Sequence, residues 1–184
     1  IEFTRKTDLY NYLPFKLYEL LEKDGKLGII VSNSWLGTDI GKKFFEAMQY
    51  YYIIESVVIS NCKKWFNNAD VIGTILVLKK KEISAPDKTK KISFWLTNKD
   101  INSIENEDKE MLINSIVLHE VIDESVAIMR EYSISDIDNI TQHGISMNAL
   151  FHNISWVKEI EDFIEPIENE LSMVRGERTG QNKV

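Results

Sequence analysis

The chain has 184 residues and a formal net charge of −7, with 43% hydrophobic and 28% charged residues, as expected of one globular domain with a real core. No apolar run approaches the roughly 20 residues that cross a membrane, and the acidic total argues against a non-specific nucleic-acid binder. Because Cys62 is the single cysteine, a disulfide framework and a cysteine-based zinc site are both excluded. A reducing, cytoplasmic location is therefore expected.

Charge is distributed unevenly along the chain. Residues 1–100 carry 16 Lys/Arg and 12 Asp/Glu, whereas residues 101–184 carry 6 and 17. The first part is therefore basic and the second strongly acidic. Basic patches in the first part are compatible with DNA contact, but a solvated surface is the favoured explanation of isolated lysines.

The first predicted element is a helix, carried by leucines at helical spacing between Leu9 and Leu21. Deep inside a helix, Pro14 would clash with the carbonyl four residues earlier. The helix therefore either begins near Tyr12, so that Pro14 lies in its first turn, or is kinked there. The apolar run of residues 26–32 does not alternate, which predicts a strand buried on both faces of a mostly parallel sheet.

A second helix and a second strand follow. The helix has Thr38 as its expected N-cap, and residues 53–60 predict a strand, so that strand, helix and strand form a right-handed βαβ unit. Trp35 stands at the end of the first strand, where open α/β sheets bind ligands. Packing against the second helix is the favoured explanation of this residue.

Two aromatic residues, Trp65 and Phe66, stand in the polar loop before the next predicted strand, residues 71–81. That loop has about ten residues, whereas a crossover helix needs a dozen or more, so the strand is expected to return antiparallel to a neighbour. Adjacent residues that enter a strand point opposite ways. One ring is therefore expected to pack inward and the other to face a cleft, with Phe66 preferred for the cleft.

The remainder of the chain changes character. Residues 92–98 alternate in polarity, as in a strand with two unlike faces. A short acidic helix, a strand at 116–122 and a helical turn or two at 124–132 are expected next. Residues 155–166 predict an amphipathic helix. Its apolar face comprises Trp156, Ile160, Phe163 and Ile164.

The sequence carries no self-contained catalytic constellation. It has neither a glycine-rich phosphate loop nor a nucleophile elbow. Its three histidines are scattered without the spacing of metal ligands. No catalytic residue and no metal ligand is therefore assigned in this chain.

The order of four segments is more specific than any one of them. They are DLY at the start of the first helix, LLEKDGKLGIIVSNSWL as helix, turn and strand, GKKFFEAM in the second helix, and WFNNADVIGTILVLKK as loop and strand. In this order they resemble adenine-specific DNA methyltransferases of the gamma class. The resemblance is closest to the methylase or fused restriction–methylase chains of type II restriction–modification systems. It covers residues 7–81, and RGERTGQNKV resembles the segment that leads into their target-recognition domain.

The resemblance implies an α/β fold, namely part of a Rossmann-like, S-adenosylmethionine-dependent methyltransferase fold. Its mixed sheet would have an antiparallel last strand, followed by a helical C-terminal extension. Residues 1–100 would be the C-terminal half of the catalytic domain, and residues 101–184 an acidic helical connector toward a recognition domain. In such enzymes the Asn-Pro-Pro-Tyr-type loop that holds the target adenine lies upstream. Since the chain begins at Ile1 without a methionine, an inactive fragment is expected.

The resemblance also implies roles for particular residues. Phe66 matches the aromatic residue that stacks on the flipped adenine, with capping of the core as the alternative. Leu9 and Leu13 match positions near the adenine ring of S-adenosylmethionine, with core packing as an equally weighted alternative. Apart from the resemblance, the charges of Lys63, Lys64, Arg175 and Arg178 make them candidates for contact with the DNA backbone, with a solvated surface as the favoured explanation of each one individually.

For the whole protein, the implied partners are double-stranded DNA and a restriction endonuclease domain or subunit, in the cytoplasm of a prokaryote and without a membrane. Two alternatives stay open. One is a related methyltransferase that acts on RNA or on protein. The other is a non-catalytic interaction domain on a half-Rossmann scaffold.

Overall fold

The computed structural model describes residues 8–62, 65–66, 72–100, 102, 104–118 and 123–163. The helices are α1 (Leu13–Tyr18), α2 (Asp39–Tyr51), α3 (Asn106–Leu118), α4 (Ile134–Gln142) and α5 (Val157–Ile160). The strands are β1 (Lys26–Ser32), β2 (Tyr52–Ser60), β3 (Gly73–Lys80), β4 (Lys91–Thr97) and β5 (Ala127–Ser133). Short 3-10 helices lie at Leu9–Asn11, Asn33–Gly37, Met147–Phe151 and Glu161–Phe163.

The five strands form one mixed sheet in the order β1-β3-β2-β4-β5. β3 pairs antiparallel with both β1 and β2, β2 pairs parallel with β4, and β4 pairs antiparallel with β5. The predicted α/β class and the antiparallel return of the third strand are both confirmed. Because β3 lies between β1 and β2, the two parallel strands of the βαβ unit do not touch each other.

One face of the sheet is covered by α1, α2, α4 and the 3-10 helix Met147–Phe151. The prediction that Thr38 caps α2 is confirmed, since its hydroxyl accepts from the Gly41 N–H at 3.1 Å. Trp35 is 1% exposed and packs on that helix, with ring centroids 5.8 Å from Phe44 and 6.0 Å from Phe45. The packing explanation of Trp35 is therefore the one that the structure supports.

The second face is covered over β2, β4 and β5 by α3. Trp95, Val58 and Leu112 form a smaller core there. Strand β4 therefore has two unlike faces, as predicted, but both are buried and only Lys91 is exposed. The alternation in polarity along this strand therefore reflects two faces that pack into different cores, and neither face is open to solvent.

Helix α1 is short and is held at both ends by strand residues. It begins at Leu13, which places Pro14 in its first turn and confirms the unkinked alternative. The Tyr52 hydroxyl donates to the Pro14 carbonyl at 2.6 Å. At the other end, Lys80 Nζ donates to the carbonyls of Tyr18 at 2.9 Å and Leu21 at 2.6 Å. A cation among C-terminal carbonyls stabilises a helix by satisfying these acceptors and opposing the helix dipole.

The predicted bounds of the first strand are correct, but the predicted burial of both its faces is wrong. Within the described residues, β1 is an edge strand that pairs only with β3. Ile29 and Val31 are buried under the helices, whereas Ile30 is 50% exposed on the other face. The non-alternating apolar run therefore belongs to a strand with one covered face and one open edge.

Two predictions after residue 104 are also wrong. Helix α3 continues to Leu118 and so contradicts the expected strand at residues 116–118, while residues 119–122 lie outside the described residues. A strand lies at Ala127–Ser133, where helical turns were expected. The free edge of β4 supplies the ladder partner for β5, and this tertiary contact outweighs local helical preference. Ser133 then begins α4 through a capping box with Asp136.

The amphipathic helix expected at 155–166 is much shorter in the structure. Val157 is 1% exposed and joins the main core, whereas Trp156 is 51% and Phe163 86% exposed. The predicted apolar face is therefore wrong, because Val157, the residue after Trp156, anchors this segment in the core. Ile164 lies outside the described residues. The proposed division at residue 100 stays a prediction, although β5 and α4 share the sheet and the core of the preceding residues.

Among the described residues, no helix is both long and apolar enough to span a bilayer.

Lys80→Met removes both charge-assisted hydrogen bonds to the end of α1 and keeps most of the aliphatic stem. The expected loss is about 1.5–3 kcal/mol of unfolding free energy, because two helix carbonyls lose their donor. Lys79→Met is the matched control, since the Lys79–Asp24 pair is exposed and 3.5 Å long, a type worth about 0–1 kcal/mol. Urea unfolding measures both variants, and equal losses would contradict the role given to Lys80.

Candidate functional site

The ends of several strands meet at one edge of the sheet. Ser60 and Thr97 are register partners at the carboxyl ends of β2 and β4. Ser32, the last residue of β1, lies opposite Gly73, the first residue of β3. Ligands of open α/β sheets bind outside the carboxyl ends of parallel strands. This carboxyl edge is therefore the candidate site.

The two aromatic residues of the loop between β2 and β3 differ in exposure. Trp65 is 8% exposed and Phe66 is 49% exposed. The expectation that one ring packs inward and its neighbour outward thus agrees with the structure, with Trp65 as the inner ring.

Trp65 packs directly above Gly73. A Cβ at Gly73 would lie 2.8 Å from Trp65 Cε3 and 3.3 Å from the Cγ2 methyl of Ile30. Only a residue without a side chain leaves room for the indole at the start of β3. The inner ring therefore fixes the loop against the sheet, while the outer ring is presented to solvent.

Asparagine side chains surround the base of this loop. Asn61 Nδ2 donates to Asn98 Oδ1 at 3.0 Å, and Asn98 Nδ2 donates to the Glu124 carbonyl at 2.7 Å. Asn102 Nδ2 donates to the Trp65 carbonyl at 3.4 Å. We call Asn61, Asn98 and Asn102 the asparagine collar. Sequence reasoning missed these residues, and the only local signal was the turn preference of asparagine.

The 3-10 helix Leu9–Asn11 is fastened to the same edge. The Tyr10 hydroxyl and Ser34 Oγ are 2.9 Å apart, and Ser32 Oγ donates to Ser34 Oγ at 3.1 Å. Burial raises the pKa of the Tyr10 hydroxyl, which therefore stays protonated at neutral pH. Leu9 is 86% and Leu13 44% exposed. Core packing does not account for Leu9, which offers an apolar surface to solvent.

The charged groups beside the collar already have hydrogen-bonding partners. Lys99 forms an ion pair with Asp108, and this hydrogen bond raises the pKa of Lys99. Hydrogen bonds from Ser125 lower the pKa of Asp123. Asp123 is exposed, whereas Lys99 and Asp108 are partly buried. These interactions are better suited to holding turns than to proton transfer.

The structure places only some of the predicted site residues. Phe66 and Leu9 belong to segments at the carboxyl edge, whereas Leu13 begins α1, which contacts Tyr52 at the start of β2 and Lys80 at the end of β3. All three predicted residues are solvent-accessible. The predicted DNA-backbone residues Lys63, Lys64, Arg175 and Arg178 lie outside the described residues. In the part of the chain that the structure describes, no cluster of three His, Cys, Asp or Glu residues is arranged to hold a metal ion.

Comparisons with known proteins find similarity in fold. No protein-family model and no curated protein matches the sequence. The type IIG restriction endonuclease BpuSI aligns with 90% of this chain and 18% of its own, at 11% identity and a TM-score of 0.60. A type I restriction–modification methyltransferase subunit from Streptococcus thermophilus aligns with 79% of this chain and 30% of its own, at 17% identity and 0.53. The type I restriction enzyme EcoKI M protein, EC 2.1.1.72, aligns with 77% of this chain and 37% of its own, at 14% identity and a TM-score of 0.51.

At these identities the comparisons establish the fold. The chain has a mixed α/β sheet of the kind found in restriction–modification proteins, a methyltransferase subunit among them. It spans between 18% and 37% of the length of the three matched proteins.

Gly73→Ala tests the packing of the inner ring. The added Cβ would overlap Trp65, so we expect the indole to move outward and the unfolding free energy to fall by about 1–3 kcal/mol. Gly28→Ala on β1 is the control, since nothing lies within 4 Å of its Cβ position. The measurement is the Trp65 indole N–H resonance, assigned by Trp65→Phe, together with urea unfolding. An unchanged resonance in Gly73→Ala would show that Trp65 is not seated on Gly73.

Proposed function

We propose that this chain is part of an S-adenosylmethionine-dependent DNA methyltransferase of a restriction–modification system, acting on adenine N6. The observation that carries the proposal is the exposed ring of Phe66 at the carboxyl edge, backed by a buried Trp65. The similarity in fold to restriction–modification proteins supports it. Assignment to the gamma class and to a type II system is part of the same proposal and rests on the order of sequence segments.

Phe66 would stack on the target adenine. An adenine inside a duplex cannot reach an active site, so it must be turned out of the stack and held. A flat ring in a polar loop provides a stacking surface worth about 1–3 kcal/mol per base. Because Trp65 is fixed on Gly73, the ring that follows it is held at the sheet edge before the base arrives.

S-adenosylmethionine would contact the segment that contains Leu9 and Leu13. When bound, it supplies the electrophilic methyl group for transfer to the exocyclic amine. Leu9 and Leu13 are apolar residues exposed to 86% and 44%, and an adenine ring laid against them would remove apolar surface from water. The Tyr10–Ser34 hydrogen bond would keep this segment against the sheet edge. These features fit the cofactor, and they position it without performing chemistry.

The open edge of β1 is where the remainder of a catalytic domain would dock. Within the described part of the sheet, β1 has one neighbour, β3. Two apolar side chains are exposed in this region of the chain: Ile30 in β1 (50%) and Leu20 between α1 and β1 (79%). A further parallel strand would satisfy the free backbone groups of this edge. We propose that the methyl-transfer loop belongs to that remainder, so that the chain by itself is inactive and binds the cofactor weakly or not at all.

The partners follow from this function. Double-stranded DNA would meet Lys63, Lys64, Arg175 and Arg178 through its phosphates, which position a protein without reading sequence. Residues 101–184 would lead toward a recognition domain, and a restriction endonuclease domain or subunit would belong to the same system. The location would be the cytoplasm of a prokaryote.

Phe66→Ala in the complete parent protein is expected to lower methyl transfer to duplex DNA by about 10- to 100-fold, because a stacking partner of the adenine is lost. Phe66→Tyr keeps a ring and is expected to retain most of the activity. Transfer of labelled methyl groups to a duplex that contains the target site measures both variants. If Phe66→Ala unfolds the protein while Trp65→Ala leaves stability and activity intact, the two rings have been assigned the wrong way round.

The isolated 184-residue chain is expected to bind S-adenosylmethionine, if at all, with a Kd well above the micromolar range. The reason is that most of a cofactor pocket would lie beyond Leu9 and Leu13. Isothermal titration calorimetry measures the Kd directly. Micromolar affinity for the isolated chain would contradict the expected weak binding and would mean that these residues contain most of the cofactor site.

A further inference from the structure

We infer that Asn98, the residue directly after β4, is a positioning residue for the base-stacking loop. This inference rests on the proposed function of Phe66. Asn98 directly follows β4, and its main-chain N–H donates to the Val126 carbonyl at 2.8 Å. Its side-chain Nδ2 donates to the neighbouring Glu124 carbonyl at 2.7 Å. One side of Asn98 is thereby bound to the turn that begins β5.

The other side of Asn98 holds the first residues of the aromatic loop. Its Oδ1 accepts from Asn61 Nδ2 at 3.0 Å, and its main-chain carbonyl accepts from the Cys62 thiol. The Asn61 N–H also donates to the Thr97 carbonyl at 2.9 Å, which extends the β2–β4 pairing by one residue. The loop therefore leaves the sheet in a direction set by Asn98.

A second contact supports the loop next to its aromatic pair. Asn102 Nδ2 donates to the carbonyl of Trp65 at 3.4 Å, and Gly73 provides the floor for the indole. The loop is thus held at its beginning by Asn98 and at its inner ring by Asn102 and Gly73. Phe66, the next residue, has an exposed side chain on a supported backbone.

A carboxamide suits this position because it donates and accepts at once. Aspartate would keep the acceptor for Asn61 but would set a carboxylate oxygen against the Glu124 carbonyl, and alanine would lose both bonds. Stacking on a base requires a ring that is oriented before the base arrives, since ordering it afterwards costs binding free energy. Asn98 would raise methyl transfer by reducing that cost, without touching DNA or cofactor.

The first experiment uses the chain as it is and follows structure alone. In Asn98→Ala we expect the indole N–H resonance of Trp65 to shift, and amide exchange at Asn61 and Cys62 to accelerate about tenfold. The resonance of Trp35 should stay in place. Asn153→Ala is the matched control, because Asn153 Oδ1 accepts from the main-chain N–H and the hydroxyl of the nearby Ser155, away from the collar. An unchanged Trp65 resonance with unchanged exchange at Asn61 overturns the inference.

If Asn98→Ala fails to fold, as judged by circular dichroism, the same measurements are made on Asn61→Ala and Asn102→Ala, each of which breaks one bond of the collar. We expect Asn61→Ala to accelerate exchange at Cys62 and Asn102→Ala to shift the Trp65 resonance. The absence of both effects overturns the inference.

The second experiment is a double-mutant cycle in the parent protein. Asn98→Ala is expected to lower methyl transfer about 5- to 10-fold in the native background and to have little effect in the Phe66→Ala background, because it acts through that ring. Fully additive losses would show a merely structural role and overturn the inference. If Phe66→Ala has no effect on methyl transfer, the proposed stacking fails. The Trp65 resonance in Asn98→Ala then still decides whether Asn98 positions the loop.

Discussion

Strand β3 imposes the constraint on which the architecture depends, because it hydrogen-bonds to two parallel strands and runs against both. A strand in this position must enter the sheet where its neighbours leave it. The loop from β2 to β3 is therefore confined to the carboxyl edge, the part of an open α/β sheet that receives ligands. The aromatic pair owes its location to this topology, and Gly73, as the first residue of β3, decides which ring can lie flat on the sheet.

The acidic part of the chain is joined to the basic part by packing and not only by the backbone. β5 completes the sheet at β4, and α4 lies in the same core as α2. The asparagine collar adds a polar connection at the carboxyl edge. Residues on both sides of position 100 therefore share one sheet, one core and the asparagine collar.

Local rules predicted what depends on a few neighbouring residues. Thr38 before a helical stripe was predicted correctly as an N-cap. For Pro14 the stereochemistry of proline left two alternatives, and the structure has the one with Pro14 in the first turn. Residues 127–132 form a strand where helical turns were expected, because short apolar runs satisfy helix and strand patterns alike and the partner that decides is the edge of β4. Val157 displaced the expected face for a similar reason, since core contacts outweigh helical periodicity. The collar could not be predicted, because Asn61 and Asn98 are 37 positions apart and meet only in the folded sheet.

The pairing of β3 with two earlier strands also sets the order of events during folding. The ladder partners of β1 run from Gly73 to Lys79, so each contact closes a chain segment of about 40 to 55 residues. During synthesis, β1, α2 and β2 are completed before β3. Until then, neither β1 nor β2 has the strand that lies between them in the folded sheet. Cooperative assembly must wait for β3, and from that moment one strand commits both sides of the sheet at once. A substitution that slows the entry of β3 would therefore prolong the lifetime of an unpaired intermediate more than it would weaken the finished protein.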